Sequence, residues 1–219
     1  MAFQSVTECD KQIENGISSM KDDRERRTLE DYSIQSESFW EATKGHDVRQ
    51  NIDALLSRLP ANKPMDILDL GCGPGRDLLT FKQLGHHAVG VDGSLKFCKM
   101  AKEYSGCAVI NESFLSLNLK AESFDGIFAN ASLFHIPSEH LLGFLQRCYS
   151  WLKKGGVLMM SMPRGSFEGF RNDRYVHLME YAELSSYLEQ AGFNIVSSYY
   201  RPTGLPIDQQ PWLAVVNQK

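Results

Sequence analysis

Asp66-Ile67-Leu68-Asp69-Leu70-Gly71-Cys72-Gly73-Pro74-Gly75-Arg76-Asp77 decides the fold of this 219-residue chain. Apolar and acidic strand residues run into a glycine-rich turn, and Leu78, Leu79, Phe81 and Leu84 then follow at helical spacing. Glycine lacks a Cβ and reaches positive φ, so Gly71, Gly73 and Gly75 permit a sharp turn whose backbone can press against a ligand. The next strand-like run, His87–Val91, leads to Asp92, 21 residues beyond Gly71. An acid at that distance can grip a ribose diol in a nucleotide-binding strand–helix–strand unit.

Outward from this stretch, strands expected at 66–70, 87–91, 107–111, 124–130 and 156–162 alternate with helices near 76–84, 94–104 and 138–153. The alternation predicts an α/β fold with a doubly wound, mostly parallel sheet and helices on both faces. Ser94 reads as the N-cap of the second helix. Lys153-Lys154-Gly155-Gly156 reads as a basic helix end followed by a glycine stop. A helix over 181–191, closed by Gly192, precedes strands at 193–200 and 212–217, which bring the sheet to seven strands with an antiparallel hairpin at its edge. Upstream, Val48, Ile52, Leu55, Leu56 and Leu59 share one face of a helix over 47–59 that Pro60 and Pro64 end. Residues 1–31 are polar and charge-mixed around Asp22–Arg27, and are expected to form a solvated helix face or a mobile arm in preference to a binding site. Residues 1–60 are therefore expected to be a helical extension or lid packed on the core, and 61–219 the α/β domain.

A net charge of −4 and no Lys/Arg run disfavour a nucleic-acid partner. Cys9, Cys72, Cys98, Cys107 and Cys148 are scattered, with no CxxC pair or metal-ligand spacing, so reduced thiols and no metal are expected. No secretion signal or membrane-length apolar run is evident, which predicts a soluble, cytoplasmic protein.

The turn lacks Gly-Lys-Ser/Thr, so it is not a phosphate-binding P-loop, and G-x-G-x-G departs from the dinucleotide-binding G-x-G-x-x-G. With Asp92 and the run Phe124–Pro137, it resembles the class I S-adenosylmethionine-dependent methyltransferases, from about Asp66 to the C-terminus. The resemblance implies S-adenosylmethionine as cofactor and S-adenosylhomocysteine as product, and the late hairpin is a feature of that family's sheet. It implies that Asp69 lies near the cofactor's ammonium and that Gly71, Cys72 and Gly73 line the methionine end, with no chemistry assigned to the Cys72 thiol. Asp92, followed by Gly93 and Ser94, falls at the sugar. Ser113 and Phe114 fall where the family usually places an acid for the adenine amino group; Ser113 stands where Asp is common, with Glu112 beside it. Asn130 falls where an amide can bind cofactor or substrate, and His135 where a general base can act. Plainer readings stay open: Asp92 as a helix cap, Phe114 as core, and His135 as a residue that orients the loop before Pro137.

Candidate substrate contacts come from three segments. Tyr32, Phe39, Trp40, Thr43 and His46 form an aromatic-containing flap. The connection Pro163–Glu180 is long and carries Arg164, Phe167, Phe170, Arg171, Arg174 and Tyr175. The third segment runs from Arg201 to Trp212. Tyr32, Trp40, Arg164, Tyr175 and Arg201 are the individual candidates, the arginines as partners for a carboxylate or as ordinary surface residues. The expected activity is methyl transfer to a small molecule. The alternatives are a noncatalytic relative that binds the cofactor or a partner and, less in keeping with the glycine spacing, an NAD-dependent oxidoreductase. No motif specifies the acceptor atom or an oligomeric state.

Overall fold

A computed structural model describes residues 22–61 and 63–219, so Cys9 and the first two-thirds of the polar segment 1–31 lie outside the described residues. Strands β1 (Asp66–Leu70), β2 (His87–Asp92), β3 (Ala108–Asn111), β4 (Phe124–Asn130), β5 (Leu152–Pro163), β8 (Asn194–Arg201) and β9 (Trp212–Gln218) form one seven-stranded sheet in the order β3-β2-β1-β4-β5-β9-β8. The first five pair in parallel, whereas β9 runs antiparallel to both β5 and β8. The expected doubly wound sheet with a late antiparallel hairpin is thus the observed one.

Successive strand residues face opposite sides of a sheet, and a parallel sheet buries both. In β4, Ile127 and Ala129 join one core cluster while Phe128 joins the other, all fully buried. The first cluster packs against helices α6 (Ser138–Trp151) and α7 (Tyr181–Gln190) through Phe144, Trp151, Leu184 and Leu188. The second packs against α3 (Arg49–Leu56), α4 (Arg76–Gln83) and α5 (Leu95–Ser105) through Ile52, Leu55, Leu78, Phe81 and Ala101. Each large apolar side chain so buried contributes about 1.5–3 kcal/mol. At the start of α4, a Cβ on Gly75 would lie 2.8 Å from the Ala101 Cα, so the missing side chain lets α4 and α5 touch.

Two expectations are corrected. Lys153-Lys154-Gly155-Gly156 does not end a helix: α6 stops at Trp151, and these residues belong to β5. Lys153 is held there by Asp66 and Asp125, at 2.7 and 2.9 Å, beside a register shift between β4 and β5. The long connection Pro163–Glu180 is not irregular either. It folds into a separate antiparallel hairpin, β6 (Glu168–Arg171) and β7 (Arg174–His177), around the two-residue loop Asn172-Asp173.

Helices α1 (Asp23–Ile34) and α2 (Ser36–Thr43) precede α3. Asp22 caps α1 by accepting from the Arg24 N–H at 2.8 Å. The helix is pinned along its length: Arg24 to Glu139 at 2.5 Å, Thr28 Oγ1 accepting from the Tyr175 N–H at 2.9 Å, Arg174 to Asp31 at 2.5 Å, and Ser33 to Ser94 at 3.0 Å. No helix among the described residues is long and apolar enough to cross a membrane.

Candidate functional site

The C-terminal ends of β1, β2 and β3 converge under α1, where ligands bind in open α/β sheets. The cavity between them is lined by the turn after β1 (Gly71, Gly73), the end of β2 (Asp92, Gly93), the segment after β3 (Ser113, Phe114, Leu115) and the loop after β4 (Ala131, Ser132, His135, Ile136, Pro137). Its roof is Glu25, Thr28, Leu29 and Tyr32 of α1, with Phe39 of α2 and Phe97 of α5. With α1 seated the cavity measures about 90 Å³, well below the ~300–1,000 Å³ of established ligand pockets.

Asp92 is the polar centre. Its Oδ2 accepts from the Gly73 N–H at 2.9 Å and its Oδ1 from the Ser94 N–H at 2.8 Å. These bonds clamp the turn to the strand end, and each oxygen keeps one acceptor direction unspent. Burial pushes the carboxyl up to about 6, and the two backbone N–H bonds only partly offset it. Asp69 lies on the α4 side of β1 with Ile67, 2 % exposed, and no protein group donates to its Oδ2. Burial and the nearby Asp77 push its carboxyl well above the usual range.

His135 Nδ1 lies 2.6 Å from the Tyr175 carbonyl and Nε2 lies 2.8 Å from the Tyr32 hydroxyl. A carbonyl only accepts, so Nδ1 carries the proton, Nε2 is the acceptor, and the Tyr32 hydroxyl donates to it. Burial lowers the imidazole to about 4, with the Arg174 guanidinium acting in the same direction. That guanidinium lies 3.9 Å from the Tyr32 ring centre. Because the folded value is depressed, His135 contributes stability that is complete above about pH 6.5 and is lost as pH falls towards about 4. In an NMR titration, the His135 ring carbons are expected to keep neutral shifts until the pH approaches that value. An inflection near the free-histidine value of about 6.5 would contradict this burial.

Residues 67–156 match the methyltransferase domain family. Over that stretch the chain is similar to the class I S-adenosylmethionine-dependent methyltransferases. A sterol 24-C-methyltransferase of Clavispora lusitaniae is 26% identical over 201 residues, which cover 84% of this chain and 50% of that protein. A trans-aconitate 2-methyltransferase of Azoarcus sp. is 34% identical over 112 residues, covering 50% of this chain and 44% of that protein. The chain thus spans about half the length of the curated relatives it matches. The Burkholderia thailandensis 1,6-didemethyltoxoflavin-N1-methyltransferase, solved with 1,6-didemethyltoxoflavin and S-adenosylhomocysteine bound, superposes with a TM-score of 0.71 at 21% identity, over 88% of this chain and 87% of that one. An Archaeoglobus fulgidus methyltransferase gives 0.67 at 18% identity, over 84% and 99%. Both carry the same fold.

Gly71, Gly73, Asp92, Gly93, Ser113, Phe114, Tyr32, Phe39 and His135 all reach the cavity wall. The other sequence candidates are not among its lining. Cys72 turns its thiol towards Gly90, where a Cβ would lie 2.7 Å from the sulfur. Cys72, Cys98, Cys107 and Cys148 are free thiols. Ser94 caps α5 and bonds Ser33. Asn130 spends its amide oxygen on Asn51 and Ser161, both at 2.7 Å, in a buried network that ties α3 to β5. Trp40 packs edge-on against Tyr104. Arg164 is held by Glu180 at 3.0 Å, and Arg201 donates to the Asp47 carbonyl at 3.0 Å. Tyr175 bonds Glu168 through its hydroxyl at 2.6 Å and meets the site through its backbone, the carbonyl at His135 and the N–H at Thr28.

The charged run around Asp22–Arg27 does not simply face solvent, because Glu25 reaches the cavity. Glu25, Thr28, Leu29 and Tyr32 stand at i, i+3, i+4 and i+7, the signature of one helix face. That signal was present in the sequence but lay among the flanking charges.

Proposed function

We propose that this chain transfers a methyl group from S-adenosylmethionine to a small-molecule acceptor. The observation that carries the proposal is the Asp92 carboxylate, buried at a strand end, bound to the Gly73 and Ser94 N–H groups and still holding unspent acceptors beside the cavity. Such a carboxylate suits the two hydroxyls of a ribose. The turn fits the remainder of the cofactor: Gly71 and Gly73 present backbone at the cavity, and Asp69 beneath them holds an oxygen that no protein group satisfies. Phe114, Phe97 and Leu29 supply apolar walls for a base.

When bound, S-adenosylmethionine supplies a methyl group already activated on a sulfonium. The protein then contributes alignment and exclusion of water. The Tyr32, Phe39 and Phe97 rings, with centroids 5.3–5.8 Å apart, form the dry wall. A proton leaving the acceptor would be received at Tyr32 Oη while the tyrosine proton moves to His135 Nε2. With its imidazole held at about 4, His135 suits acceptors of low proton affinity or those that need no base. Roofing by α1 and the absence of a basic lining favour a small acceptor over a nucleic-acid strand.

Calorimetry with S-adenosylhomocysteine and transfer of a labelled methyl group to fractionated metabolites test the proposal. Binding without transfer to any fraction would leave a noncatalytic cofactor-binding protein. For an acceptor that must lose a proton, Tyr32→Phe and His135→Ala are expected to slow turnover by about 100-fold or more while sparing product affinity. Normal rates would remove the pair from the mechanism.

A further inference from the structure

The cavity contains a second carboxylate, that of Glu25, which enters from α1 above the end of β3. There the Glu25 carboxylate accepts a long bond from the Leu115 N–H at 3.4 Å and is also met by the Ser113 hydroxyl. Ser113, which also lines this end, exchanges a hydrogen bond with Ser116 at 2.9 Å and has no charge to offer a ligand. Burial raises the Glu25 carboxyl, and the Ser113 and Leu115 donors only partly offset it.

The sheet fixes what faces Glu25. β1, β2 and β3 are successive neighbours, and Asp92 pairs with Asn111, two residues before Ser113. Neighbouring strands lie about 4.8 Å apart. With a ribose on Asp92 at the end of β2 and the glycine turn occupying the end of β1, the base of the same nucleoside lies over the end of β3. The walls there are Leu29, Phe97, Phe114 and Leu115, and the carboxylate above them is Glu25.

We infer that Glu25 accepts a hydrogen bond from the exocyclic amino group of the cofactor's adenine, so that α1 supplies the group that reads the base. This rests on the methyltransferase reading and adds to it a specificity residue outside the α/β domain. A carboxylate attracts an amino group and repels the carbonyl that replaces it in hypoxanthine.

The test is calorimetry on the full chain with S-adenosylhomocysteine and its 6-oxo counterpart, S-inosylhomocysteine. The wild-type protein is expected to prefer the amino compound by at least ten-fold, in line with a hydrogen bond to a charged group. In Glu25→Gln, whose amide can also donate to a carbonyl, the preference is expected to fall to within about three-fold. Equal wild-type affinities, or an unchanged preference in Glu25→Gln, would overturn the assignment while leaving the cofactor site intact. The wild-type ratio decides the matter even if the variant folds poorly. Failure of the wild type to bind either compound would instead remove the methyltransferase reading, and this inference with it.

Discussion

Asp92→Ala is expected to weaken S-adenosylhomocysteine binding by about 10- to 100-fold, the ~1.5–3 kcal/mol of a hydrogen bond to a charged group. The fold should survive. Asp92 is 8 % exposed, and its carboxyl rises from the usual 3.8 to about 6, so the ionised group costs the native state about 3 kcal/mol at neutral pH. The variant removes that cost and orphans the Gly73 and Ser94 N–H groups, at about 1–3 kcal/mol each. These effects nearly cancel, so the melting temperature should move by only a few degrees. The sign of the pH dependence follows from the raised value. The folded protein holds this proton more tightly than the unfolded chain, so Asp92 contributes stability that is complete below its usual value and is lost as pH rises through about 6. Ligand binding runs the other way. Below about pH 6 the protonated carboxyl gives up acceptor capacity, and affinity should fall by up to ten-fold per pH unit. Affinity unchanged by Asp92→Ala, or flat between pH 7 and pH 5, would count against this carboxylate as the sugar contact.

Gly71→Ala is expected to be among the most damaging single changes to stability. Gly71 has φ +75°, and an added Cβ would lie 2.4 Å from Ser132 Cβ and 3.3 Å from the Phe114 ring. Ser132 cannot yield easily, because its hydroxyl donates to the Leu70 carbonyl at 2.6 Å. Left-handed strain of about 1–2 kcal/mol adds to overpacking of about 1–3 kcal/mol, a total near 2–5 kcal/mol. At about 2–4 °C per kcal/mol for a chain of this size, calorimetric melting should fall by roughly 5–20 °C. Gly85→Ala is the control: φ is +86° there, but no atom lies within 4 Å of the added Cβ, so only the backbone strain remains. Equal losses in the two variants would show that space around Gly71 is not the constraint.

The sheet was legible because its parallel strands are short apolar runs that end in recognisable turns, as Ile67–Gly71 shows. The cavity floor was legible for the same reason, since Gly71, Gly73 and Asp92 are fixed by the strand ends that carry them. The roof was not. Its helical spacing from Glu25 to Tyr32 is flanked by Arg24 and interrupted by Arg27, which pair with Glu139 and Asp173, partners 115 and 146 residues away. Asn130 escaped correct placement because its partner Asn51 arrives from 79 residues upstream. The β6–β7 hairpin left only Asn172-Asp173 as a local signal, since its strands lack a clean alternation of apolar and polar residues.

The seating of α1 has a kinetic consequence. With α1 seated the cavity measures about 90 Å³, so admission of a nucleoside is expected to require the helix to part from Glu139, Asp173, the Tyr175 N–H and His135. The rate of loading should then approach a ceiling set by this unlatching as ligand concentration rises. On the proposed function, spent product would leave through the same gate, so the helix that brings Tyr32 to His135 would also set the pace of release.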